Sequence, residues 1–445
     1  MIKALLMQDL SAQSQALARG QCSSAELTAA AIAAIAASQP HLNAFIHLDA
    51  PAALLAARQS DARRAKKRIL GPLDGLTLAV KDNIDVAGMP TSAGMATRRG
   101  RLASTDAFVV QRLRAAGMVI LGKLNMHEAA LGATNDNPHF GRCENPLRAA
   151  CTPGGSSGGS ACAVAAGLCA LALGSDTMGS VRIPAAYCGV VGFKASYGRI
   201  STAGSVACSP MLDHIGPILR SQRDLQLVLP VISAFDAGCA DARDLPDLPA
   251  LSSPRWVAAS DVEQLGTTPE VTAAYRQAIQ ALRDRGQPVT EIAIGSYDFG
   301  RARRAGLLIV EADLLVEHQQ DWELQPQLFS AQLARFLKFG EKQPASAYAA
   351  AARVVAASHI EVARWFSHGD VMLLPTAPQT AFSFADPVPA NQADFTSIAN
   401  MAGIPALSLP LPCAAGALPA GLQCIAPAGA EATLLALDLQ GICTR

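Results

Sequence analysis

The sequence predicts an α/β protein, a central mixed sheet flanked by helices in one domain, and three observations carry that prediction. First, Asp106–Ala116 reads as an amphipathic helix, Gly117 stops it, and Met118–Leu121 is strand-prone. A helix feeding directly into a strand favours a sheet covered by helices. Second, Leu76–Val80 and Val371–Thr376 are short apolar runs suited to buried strands, the first closing at Lys81 and the second at a proline. Third, Ala161–Leu173 contains only Ala, Val, Leu, Cys and one Gly. A segment apolar on every side is buried, and its small residues read as a helix. That helix is expected between two Gly/Ser-rich loops, GGSSGGS (154–160) and GSDTMGS (174–180).

The remaining elements follow in order. Residues 1–65 read as helices, one of them started by Ser23-Ser24-Ala25-Glu26, with a serine at the cap and an acid in the first turn. Asn43–Ile46 is a short strand. The turn residues of 84–91 and 125–146 predict loops. Beyond residue 220 the pattern weakens. Asp236–Pro254 reads as an exposed connection, and Pro269–Arg285, Ala302–Trp322 and Pro326–Val355 as helices. Phe395–Ala402, Ile404–Leu411 and Gly421–Ile425 return to strand and turn character. The division expected is N-terminal helices (1–65), a core (66–220), a variable helical insertion (221–370) and a return to the core (371–445).

Composition narrows the function. Thirty-six basic residues balance 36 acidic ones, which offers no basic footprint for nucleic acid or an anionic membrane. The RRAKKR run (63–68) reads as a solvated helix face. No stretch is long and apolar enough to span a bilayer, and the N-terminus reads as an amphipathic surface helix rather than a leader. The 11 cysteines form neither a CxxC pair nor a zinc pattern, as expected of reduced thiols in a cytoplasmic protein.

Three places can carry chemistry. Lys81, closing an apolar strand, loses solvation there, which favours its neutral form and makes it a usable base. A strand-end lysine can also simply point to water. Ser156 and Ser157 sit in a loop that fits GxSxG but also fits a plain tight turn, and a phosphate-loop lysine is missing. The Gly-rich turn 174–180 can aim consecutive N–H groups at one point, as an oxyanion hole requires, or can be no more than a turn. His127, His139 and His214 lie near these segments, and a structural role suits them.

Taken together, VKDNIDVAGMPTSAG (80–94), GGSSGGS, GSDTMGSVRIPAAYCGVVGFK (174–194), LDHIGP (212–217) and LLPTAP (373–378) resemble the amidase signature family. Coverage of the motifs is good over 66–220 and 370–435 and weak between. The resemblance implies a Ser–Ser–Lys triad. Ser180 would be the nucleophile, Ser156 the bridging serine after a cis peptide, and Lys81 the terminal base. It also implies an oxyanion hole from the amides of Thr177, Met178, Gly179 and Ser180, with Asp176 and Arg182 supporting the loop. Met178 stands where the family most often has Gly, and Ala195-Ser196 where it commonly has Pro-Thr. The implied activity is hydrolysis of a C–N bond in a small amide, carbamate or urea-like substrate through an acyl-enzyme. No metal or organic cofactor, no nucleic acid and no membrane is implied, and a homodimer is the ordinary expectation for a soluble enzyme. The alternatives are a glutamine-hydrolysing A subunit of a tRNA-dependent amidotransferase, or a non-catalytic scaffold.

Overall fold

The computed structural model describes residues 2–443. Its frame is one 11-stranded sheet. The strands are β1 (Phe45–Leu48), β2 (Thr77–Lys81), β3 (Val119–Leu124), β4 (Leu171–Asp176), β5 (Val191–Lys194), β6 (His214–Leu219), β7 (Trp256–Ala259), β8 (Val289–Ile292), β9 (Val371–Pro375), β10 (Ala406–Pro410) and β11 (Gly421–Ile425). Their order is β1-β3-β2-β4-β6-β5-β10-β11-β9-β7-β8. β2 pairs parallel with β3 and β4, β7 pairs parallel with β8 and β9, and the other pairs are antiparallel, so the sheet is mixed as expected. Every residue of β2, β3, β4, β6, β9, β10 and β11 is buried, which explains their lack of alternation in sequence.

Helices cover this sheet, and local chemistry starts several of them. Ser23 and Glu26 form a reciprocal capping box at the head of Ser24–Leu42, and Asp49, Asp298 and Ser330 cap their helices by accepting main-chain N–H groups. Gly117, at φ 87°, turns the chain from the helix Phe108–Ala115 into β3. The helix Pro269–Asp284 is tied down by Tyr275, whose hydroxyl meets the carbonyls of Ala259 in β7 (3.2 Å) and Leu373 in β9 (3.0 Å).

The structure departs from the sequence reading in four places. The apolar run 161–173 is not one helix. The helix Gly158–Ala165 ends before Gly167, at φ 77°, and the chain re-enters the sheet as β4. A short, fully apolar run has no period to separate helix from strand. Asp394–Met401 is a helix rather than strand and turn, because all eight residues are buried and the amphipathic signal is lost. The segment 221–370 is not purely helical, since β7 and β8 within it extend the main sheet. Its long helices are also cut differently from expectation, into Phe299–Glu317, Gln319–Leu324, Ala331–Glu341 and Ala345–Phe366. Among the described residues no helix is long and apolar enough to cross a membrane.

Candidate active site

Strand pairing assembles the site. β2 and β4 run parallel, so Lys81 and the turn after β4 leave the same edge of the sheet. Ligand sites in such sheets lie outside the carboxyl ends of the strands. β6 runs antiparallel to β4 with His214 opposite Asp176, which brings Asp213 to the same edge. The loop 154–157 reaches this edge from the start of the helix Gly158–Ala165, where the Ser157 N–H donates to the Ser180 carbonyl at 3.2 Å. That backbone contact joins the two serine loops. The Gly155–Ser156 peptide is cis.

Lys81 and Ser156 are both fully buried, and Lys81 Nζ lies 2.7 Å from Ser156 Oγ. Nζ also lies 2.8 Å from Ser175 Oγ, which in turn accepts from Asn83 Nδ2 at 3.2 Å. Burial pushes the lysine down from its ordinary range to about 7, against the opposing pull of Asp176 and Asp213. An amine in that range is neutral in a large fraction of molecules at neutral pH. Ser180 is partly exposed, unlike Lys81 and Ser156.

The turn after β4 is held by a buried ion pair. Arg182 and Asp176 have no exposed side-chain surface, and two guanidinium nitrogens contact the carboxylate at 3.0 and 2.9 Å. The remaining donors reach Gln423 Oε1 (2.6 Å), Thr396 O (2.9 Å) and Asn400 Oδ1 (2.6 Å). Burial pushes the Asp176 carboxyl up, but the Arg182 guanidinium and the Asn400 amide outweigh it and hold the group well below the usual carboxylate range. Asp176 also accepts the N–H groups of Gly179 (2.7 Å) and Val181 (3.1 Å). This corrects the set of four candidate oxyanion donors: the Gly179 N–H faces its own support, which leaves the amides of Thr177, Met178 and Ser180. Gly179 itself has φ 131°, and a Cβ there would meet the Thr396 side chain. Gly179→Ala is therefore expected to lower kcat by about 10²-fold with little change in KM, as small displacements of catalytic groups do. Steady-state kinetics checks it.

Met178 leans away from the turn onto the helix Phe299–Glu317, where it and Met401 both pack against Gly306. This apolar wall was not legible in sequence. The histidines sit elsewhere in the network. His214 Nδ1 bonds the Leu212 carbonyl at 2.8 Å and its Nε2 faces Lys194 Nζ at 3.2 Å; burial, and after it the neighbouring Lys194, push the ring well below the ordinary imidazole range. His127 is buried and lowered by burial to about 4, and His139 bonds Glu128 at 2.8 Å.

Sequence reasoning passed over Ser175, Asn83, Asp213, Thr396, Asn400 and Gln423. Three of these lay inside quoted motifs: Asn83 in VKDNIDVAGMPTSAG, Ser175 in GSDTMGS and Asp213 in LDHIGP. The last three stand 214 or more positions beyond Arg182, and nothing along the chain ties them to it. All eleven cysteines are free, and the described residues hold no group of three or more side chains suited to a metal ion.

Comparison with known proteins places this geometry. The A subunit of the glutamyl-tRNA(Gln) amidotransferase of Chloroflexus aggregans is 36% identical over 465 residues, covering 96% of this chain and 94% of that protein. A solved amidase superposes with a TM-score of 0.88 at 31% identity over 98% of this chain and 100% of its own. The corresponding A subunit from Thermotoga maritima gives a TM-score of 0.77 at 28% identity over 93% of this chain and 90% of its own. The expectation of a chain acting on a small molecule alone, without nucleic acid, finds no support in relatives named as subunits of a glutamyl-tRNA(Gln) amidotransferase. Residues 26–435 match the family described as Amidase, straight through the stretch where the motifs were weak. The chain belongs to that family, the amidase-signature proteins its serine loops resemble.

Proposed function

We propose that this protein hydrolyses an amide-type C–N bond through an acyl-enzyme on Ser180. The observation that carries the reading is the fully buried Lys81 amine, 2.7 Å from Ser156 Oγ and lowered to about 7. A serine hydroxyl is a weak nucleophile until a base takes its proton. Ser156 both accepts and donates, so it can take the Ser180 proton while passing its own to Lys81. The amides of Thr177, Met178 and Ser180 would face the oxyanion of the tetrahedral intermediate. Run in reverse, the relay protonates the leaving nitrogen. Water then attacks the acyl-enzyme with the same base, releasing the acid and restoring Ser180.

Two substrate readings follow. Likeness over nearly the full length to amidotransferase A subunits supports glutamine as the substrate, with the released ammonia serving a partner protein. The wall of Met178 and Met401 supports a second reading, a small amide, carbamate or urea-like compound with an apolar group. Ammonia release from glutamine, with and without candidate partner proteins, is measured beside a panel of amides, anilides, carbamates and biuret-like compounds. Wild type and Ser180→Ala are run together. Glutamine turnover that rises with a partner selects the first reading, and turnover of a panel compound by the chain alone selects the second. Either activity is expected to vanish in Ser180→Ala. Turnover surviving in that variant overturns the nucleophile.

A further inference from the structure

We infer that Asp213 is a positioning residue for the turn that supplies the oxyanion donors, acting through the hydroxyl of Thr177. The inference rests on the Ser180 reading above and extends it.

A trans peptide is planar, so its C=O and N–H point in opposite directions. Anchoring one end therefore aims the other. The Asp176 carbonyl accepts from Asn400 Nδ2 at 2.8 Å, which aims the Thr177 N–H. The Met178 carbonyl accepts from Thr396 Oγ1 at 2.7 Å, while the N–H of the same peptide, that of Gly179, donates to Asp176. The Gly179 carbonyl accepts from the Ile183 N–H at 2.8 Å, which aims the Ser180 N–H. Three of the four peptides in the turn are thus held through their own atoms.

The fourth, Thr177–Met178, is held through a side chain. Thr177 Oγ1 donates to Asp213 Oδ1 at 2.6 Å. The other carboxylate oxygen accepts the N–H groups of Cys208 (2.8 Å) and Ser209 (3.0 Å). Asp213 also leads directly into β6, whose first residue is paired with Asp176. The carboxylate is therefore fixed to main chain on two sides and does not follow Thr177. With that bond made, the Met178 N–H keeps its direction. Without it, this peptide is free to rotate, which swings the N–H away and turns the Thr177 carbonyl toward developing negative charge.

A fluorophosphonate probe tests this without a known substrate. Ser180 Oγ attacks phosphorus, fluoride leaves, the hydroxyl proton passes to the Ser156–Lys81 pair, and the phosphoryl oxygen takes the oxyanion position. Removing a whole oxyanion donor costs about 10²–10³-fold. Misaiming one is expected to slow labelling of Thr177→Val by about 10–100-fold. Thr177→Ser, which keeps the hydroxyl, is expected to label within about threefold of wild type, and the two variants to melt close together. A structural role alone would lower the melting temperature of Thr177→Val without this split in labelling rate. Thr177→Val labelling within twofold of wild type overturns the inference, as does Thr177→Ser labelling as slowly as Thr177→Val. Asp213→Ala, which removes both carboxylate oxygens and with them the anchor for the Thr177 hydroxyl, is expected to slow labelling too. Should that variant fail to fold, the Thr177 pair still decides. Labelling that survives in Ser180→Ala overturns the Ser180 reading itself, a result distinguishable from failure at Thr177.

Discussion

Lys81→Met is expected to lose turnover by about 10²–10⁴-fold, the range of a general base, while keeping the fold. The two side chains have similar length, and the site is walled by buried residues. Methionine therefore fills the space without its nitrogen, and Ser175 Oγ keeps its bond from Asn83. The wild-type pH profile should report the same group. Only the neutral amine accepts the Ser156 proton, so kcat/KM is expected to rise about tenfold per pH unit below 7 and to level off above it, where the amine titrates. Stability follows the same sign. The folded lysine binds its proton more weakly than the unfolded one, so the native state gains stability as pH rises from about 7 toward the unfolded-state value near 10.4. Below about 7 both states are protonated and this dependence disappears. A kcat/KM profile that stays flat between about pH 5.5 and 8.5, or a Lys81→Met enzyme with a tenth of wild-type activity, would sink the assignment.

Arg182→Met is expected to destabilise the protein by about 3–5 kcal/mol, the cost of leaving a buried charge without its partner. The guanidinium satisfies Asp176 through two nitrogens and also reaches Thr396, Asn400 and Gln423, all at buried positions. Removing it strands the Asp176 carboxylate and frees the very residues that anchor the turn 176–180. Arg182→Lys is expected to recover little, because a single ammonium cannot reproduce the planar fork. Urea denaturation checks both variants, with a lower midpoint and an unchanged slope expected. A loss of unfolding free energy under about 1 kcal/mol in Arg182→Met would mean that Asp176 is satisfied without the arginine.

The two predictions differ in how far the residues could be read in advance. Lys81 was visible because an apolar strand and a terminal charge are neighbours in sequence. Its partner Ser156 was visible because a Gly/Ser cluster marks a turn whatever surrounds it. Arg182 and Asp176 are six positions apart, and their pairing follows from one turn. Their second partners are not neighbours. Thr396, Asn400 and Gln423 reach Arg182 from far along the chain only because the helix Asp394–Met401 and β11 fold over the turn.

By itself the sequence determined the local chemistry: the two glycine-rich turns, the lysine at the strand end, the cap at Ser23 and Glu26, and the family those motifs belong to. Each depends on residues close along the chain, where backbone preference and hydrogen bonding act directly. The tertiary structure alone decided three other things. It split the run 161–173 between a helix and a strand, because burial on all sides erases the periodicity that tells them apart. It drew β7 and β8 into the main sheet and set Met178 against Gly306. It also gave the Gly179 N–H to Asp176 and the Thr177 hydroxyl to Asp213. A buried polar group takes the partner that packing brings within reach, and that choice is made in three dimensions.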